Sequence, residues 1–148
     1  MKRSLQAVLG VTLLEIMLVL AIAAMVITMS IRYYQSASLN QKVTAALNSV
    51  TAVVAAGESV LSAQGVTGFT GTNAANFNPF LPGGAPLPSP WGGTIVPAGT
   101  GANTYTITIP NVPNAACTQL RALVQQNNRM TAPVCVTGNA NMVITVTV

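Results

Sequence analysis

The sequence predicts an α+β fold: a long N-terminal helix packed on a small antiparallel sheet. Three observations predict it. Residues 11–56 contain neither Gly nor Pro, so nothing in that span breaks a helix. From Gly65 to Gly101 the composition turns rich in Gly, Pro, Asn and Thr, which is loop material. Thr104–Ile109 alternates apolar and threonine residues, and Met142–Val148 puts Met142, Ile144, Val146 and Val148 on one face with Thr145 and Thr147 opposite, the period of a half-buried strand.

The elements follow in chain order. Lys2 and Arg3 open a short leader, residues 1–10, ending in Gly10. Val11 to Ile31 carries Glu15 and otherwise no charge, and as a helix it reaches about 30 Å, the apolar thickness of a bilayer. Arg32, Tyr33 and Tyr34 follow at once, a snorkelling cation with two amphipathic rings, as expected of an interfacial anchor. Residues 11–34 therefore read as a membrane helix whose basic N-terminus stays in the cytoplasm. A secretory signal peptide cut after Ala21-Ile22-Ala23 is the ordinary alternative, but it leaves Glu15 inside the apolar region and sticky residues up to Met29 unexplained.

Residues 35–63 continue the helix in amphipathic form. Leu39, Val43, Ala46, Leu47, Val50, Val53, Val54 and Leu61 fall on one stripe, and Gln41, Thr44, Asn48, Thr51, Glu58 and Ser62 on the other. Gly57 marks a bend or a close approach. Residues 64–148 form the head. Pro82, Pro86, Pro88 and Pro90 bar a helix through the 80s, while Phe69, Phe77, Phe80 and Trp91 anchor an ordered irregular loop there. Strands are predicted at Thr94–Val96, Thr104–Ile109, Val134–Val136 and Met142–Val148, with a short helix from Pro113-Asn114 to about Gln126 on a stripe of Cys117, Leu120, Leu123 and Val124.

Composition excludes most chemistry. Charged residues are 5% of the chain, it has no His and no Asp, and its acids are Glu15 and Glu58. A Ser-His-Asp or Cys-His arrangement lacks its base, and a metal cage lacks ligands, so no enzyme, metal or cofactor is expected. Ser59 to Leu120 carries no formal charge, and the cations are scattered, so nucleic acid is not expected as a main ligand despite a net charge of +4. Cys117 and Cys135 are the two cysteines; outside a cell such a pair is most simply a disulfide, with two free thiols as the alternative. Arg121 and Arg129 lie between them, read first as solvated charges and second as contact residues.

An acid inside a membrane helix calls for a partner. If the chain is cut between Gly10 and Val11, the new α-amine lies one helical turn before Glu15. Between neighbouring copies packed in register, Glu15 of one then meets the amine of the next, and pairing offsets much of the burial penalty.

The basic leader ending in Gly10, the run Val11-Thr12-Leu13-Leu14-Glu15-Ile16 and the apolar helix behind it resemble a type IV prepilin. The resemblance implies cleavage after Gly10 by a prepilin peptidase, N-methylation of Val11 and a role for Glu15 in filament assembly. Val11 stands where the commonest subclass has phenylalanine, which resembles the type IVb branch, as do Pro90-Trp91-Gly92-Gly93 and Ile109–Pro113 followed by Cys117, similar to conjugative-plasmid and enteric pilins. The pair Cys117–Cys135 is similar to the C-terminal disulfide that bounds an exposed loop in such pilins. What this implies is a structural subunit, held in a bacterial inner membrane with its head in the periplasm, that polymerises with copies of itself through a pilus assembly machinery. The extracellular filament would serve adhesion, aggregation or DNA transfer. A minor pilin or a type II secretion pseudopilin is the near alternative, and a membrane-anchored adhesin that never polymerises is the distant one.

Overall fold

The computed structural model describes residues 12–65, 67–131, 133–135, 138 and 140–148. It is α+β, with one long helix, a four-stranded antiparallel sheet, short helices and a disulfide. Residue contacts divide the chain between Ser38 and Leu39, whereas composition changes near residue 64.

Helix α1 covers Leu13–Gln64, close to the predicted 11–63. Thr12 opens it. Its carbonyl accepts from the Glu15 and Ile16 N–H groups at 3.0 and 3.2 Å, and its Oγ1 accepts from Glu15 N–H at 3.3 Å. That hydroxyl satisfies one of the donors left free at any helix start. Before Ser38 the apolar side chains stand open, among them Leu14, Met17, Leu20, Met25 and Ile31. The hydroxyls here bond within the helix, Thr28 Oγ1 donating to Met25 C=O and Ser30 Oγ to Val26 C=O at 2.9 and 2.8 Å. A Thr or Ser satisfied by its own helix can face an apolar medium at little cost.

From Leu39 onward α1 builds the core of the second unit. Val43, Ala46, Val50, Val53, Ala56 and Val60 are buried, and Leu39, Leu47, Val54 and Leu61 flank them half-buried. The predicted stripe was thus right in phase but off-centre, because Ala56 and Val60 are buried while Leu39, Leu47, Val54 and Leu61 are only partly so. Gly57 marks a close approach rather than a bend, for α1 runs through it and a Cβ there would stand 2.9 Å from the Tyr105 hydroxyl.

The Gly- and Pro-rich stretch carries more helix than predicted. Helix α2 is Ala74–Phe77, and 3₁₀ turns follow at Asn78–Phe80 and Pro82–Gly84. Asn73 caps α2: its side chain accepts from Ala75 N–H, and Asn76 Oδ1 accepts from Asn73 N–H, both at 3.0 Å. Pro79 and Pro82 occupy first-turn positions, where no N–H is required, so they permit these short turns while barring longer helix. Phe69 and Phe77 pin the segment to the sheet, their ring centroids 4.6 and 5.4 Å from that of Tyr105. Trp91 is half-buried against the core rather than fully inside it. Its turn is tied down by Ser89, whose Oγ accepts from Trp91 N–H and donates to Pro110 C=O, both at 3.3 Å.

The strands are β1 (Val96–Gly99), β2 (Thr104–Val112), β3 (Met130–Thr131) and β4 (Ala140–Thr147), ordered β1-β2-β4-β3. Tyr105, Ile107, Ile109, Met142, Ile144 and Val146 make the buried face, as their alternation requires. Three predicted boundaries are corrected. The Thr94–Val96 strand shifts to Val96–Gly99, with Thr94 in an isolated bridge to Pro88; Pro97 is tolerated because β1 is an edge. Strand β2 runs past Ile109 to Val112 through a bulge: Ile109 pairs with Met142 and Val112 with Ala140, leaving one extra residue on β2, where Asn111 takes φ 57°. The strand placed at Val134–Val136 is absent from Val134 and Cys135, and Val136 lies outside the described residues; pairing occurs instead at Met130–Thr131. Pro133, lacking an N–H, cannot extend that ladder.

Helix α3 is Asn114–Val124. Ala116, Cys117, Leu120 and Val124 form its buried stripe, while Leu123, predicted in it, stands exposed. A disulfide joins Cys117 to Cys135 with Cα atoms 5.7 Å apart, stapling α3 to the segment after β3. Replacing both cysteines by serine is expected to cost the head about 3 kcal/mol in the chain-entropy account, read as a lower urea midpoint with a slope that is level or steeper as the unfolded chain expands.

Candidate assembly site

Gly10 and Val11, the predicted processing residues, lie outside the described residues. Glu15 is described. It is the acid in the first turn of α1, exposed and surrounded by exposed Leu13, Leu14, Ile16 and Leu18. Among the described residues it joins no ion pair. An 18-residue window of this helix has mean hydropathy 2.4 and is 0% buried by the rest of the chain, so by length and composition it can cross a membrane.

Local structure adds a role for Glu15 that the sequence analysis missed. Thr12-Leu13-Leu14-Glu15 has the spacing of an N-terminal capping box, and the Thr12 half of it is formed. An acid there also meets the positive end of the helix dipole. Two physical reasons therefore converge on one carboxylate, and they differ in what they demand. Capping tolerates glutamine, but a charge pair does not.

The second acid is placed by tertiary structure. Glu58 Oε1 accepts from Arg129 Nη1 at 2.7 Å, across 71 positions of sequence. Arg129, first read as a solvated charge of the loop between the cysteines, is thus half of the ion pair found among the described residues; no spacing in the sequence signals that pairing. Arg121 joins no ion pair among them. Beside Glu58–Arg129 lies Tyr105, fully buried, whose hydroxyl has no hydrogen-bond partner among the described residues. Burial pushes its pKa well above the ordinary tyrosine value, Arg129 pulls it back, and Glu58 adds to the rise.

What the arrangement offers is an apolar helical surface with a single acid near its start, and a separately folded, weakly charged head held by its own core and disulfide. No protein-family model, curated protein or solved structure matches this chain.

Proposed function

We propose that the chain is a structural subunit of a filament of the type IV pilus kind, inserted in a membrane by the first half of α1 and polymerised by packing that half against copies of itself. One observation carries the reading: a helix surface from Leu13 to Ile31 that is apolar but for Glu15, Thr28 and Ser30 and is exposed among the described residues, with Glu15 as its single charge near the beginning. Lipid and a bundle of like helices are similarly apolar, so transfer between them costs little and packing and polar contacts set its direction. Within a bundle, Glu15 facing the α-amine of the neighbouring copy fixes axial register, since one residue of slip leaves both charges unpaired. The head contributes few charges and hence little repulsion between crowded copies.

Mass spectrometry of the protein from its producing cells tests the processing step. The expected N-terminus is N-methylvaline at Val11, the first ten residues having been removed. A chain that begins at Met1, or at a cut after Ala23, overturns the reading. Electron microscopy of filaments sheared from the same cells, with this chain identified in them, tests polymerisation directly.

A further inference from the structure

Glu15 and Arg32 bound the apolar surface of α1, and no residue from Ile16 to Ile31 carries a charge. Both are exposed, and neither joins an ion pair among the described residues. No Gly or Pro interrupts the span and α1 runs through it, so the helix itself fixes where the two charges stand. They lie 17 positions apart, about 26 Å along the axis and about 100° around it, too far to meet within one chain. In a membrane, Arg32 is served by headgroups and water at the interface. Packed among like helices it leaves them, and a cation removed from water needs a counter-charge. The chain has two acidic side chains, and Glu58 is already held by Arg129 at 2.7 Å. Glu15 is the acid that remains.

We propose that Glu15 of one copy accepts from the Arg32 guanidinium of a second copy standing about 26 Å behind it along the filament axis. The contact rests on the filament reading above and gives Glu15 a second partner. A carboxylate has two oxygens, enough for the α-amine of one neighbour and the guanidinium of another. The displacement is close to the apolar thickness of a bilayer, about 30 Å. A copy drawn outward by that distance brings its Glu15 level with the Arg32 of a copy still seated in the membrane. The acid thus leaves lipid for a cation placed at the interface. Because the two charges lie on different faces of α1, the contact joins unlike surfaces, and a head-to-tail contact of that kind continues from copy to copy.

Oxidation of filaments built from the full chain carrying Val19→Cys and Ser36→Cys reads the contact. Each substitution lies one turn beyond a charge and on its face, so the offset of 17 positions is kept. Cys117 and Cys135 are bonded to each other and stay out of the reaction. A ladder of covalent oligomers on a non-reducing gel is expected, whereas Val19→Cys with Ser30→Cys, at the wrong offset, is expected to give none. Dimers alone, no ladder, or equal ladders from both pairs overturn the contact. Arg32 supplies the second measurement. Arg32→Gln is expected to reach the membrane in native amount yet yield about tenfold fewer filaments, and Arg32→Lys to restore them. Native filament numbers from Arg32→Gln overturn the contact and leave the filament reading intact. So does a loss matched by a depleted membrane fraction, the mark of a lipid anchor only. Absence of filaments from the native chain overturns the filament reading itself, and the contact falls with it.

Discussion

Glu15→Gln is expected to insert in the membrane and fold as the native chain does, yet to yield no filaments. The substitution separates the two roles that meet at this position. Glutamine keeps the side-chain length and the hydrogen-bonding group of a capping box begun by Thr12, so the start of α1 is retained. It removes the charge, so the α-amine of a neighbouring copy is buried without its counter-ion, a loss of about 3–5 kcal/mol at each contact by analogy with broken buried pairs. Repeated at every subunit, that penalty stops polymerisation. The measurement is a count of filaments by electron microscopy beside the amount of chain in the membrane fraction. Native filament numbers from Glu15→Gln, together with their loss in Glu15→Ala, would assign the residue to capping and remove the charge-pair account.

Gly99→Ala is expected to destabilise the head strongly without unfolding it. Gly99 ends β1 opposite Tyr105 and donates its N–H to Thr72 C=O at 3.0 Å. A Cβ at this position would overlap the Phe69 carbonyl oxygen and the Thr72 hydroxyl. That obstacle includes backbone, in a turn held by Thr72 N–H and Oγ1 both donating to Phe69 C=O, at 3.0 and 2.8 Å. Relief therefore means moving Phe69 out of its contact with Tyr105 and Phe77. The cost is on the order of 3 kcal/mol or more, a large part of the stability of a domain this size. Gly83→Ala is the control. It also puts a side chain on a glycine, at φ 83°, but meets no atom, and should cost only about 1 kcal/mol. Urea unfolding followed through Trp91 compares the two, and equal losses would show that the Gly99 contact is not what matters.

Much of this molecule was legible from composition and period. The unbroken run from 11 to 56 announced α1, and the alternation of Tyr105, Ile107 and Ile109 with threonines announced β2 and its buried face. Where the reading slipped, long-range geometry overrode local signals. Pro110 and Asn111 look like the end of a strand, and only pairing with β4 carries β2 past them through a bulge. Val134 has a strand former's side chain, but Pro133 beside it has no N–H to pair, and the ladder forms earlier, at Met130–Thr131. Leu123 fits the apolar spacing of α3, yet the face of α3 that meets the core is centred on Leu120 and leaves it outside.

The candidate site divides in the same way. Sequence by itself determined that the first half of α1 is a long apolar helix with a single acid near its beginning, because hydropathy and the absence of helix breakers are local properties. It also made a Cys117–Cys135 disulfide the simplest reading of the two cysteines, which the structure forms. Tertiary structure alone decided that Glu58 belongs to Arg129, that Gly57 admits Tyr105, and that the tyrosine's hydroxyl finds no acceptor among the described residues. Those facts join residues tens of positions apart, and such meetings are set by how the sheet folds back onto α1, which no window along the chain contains.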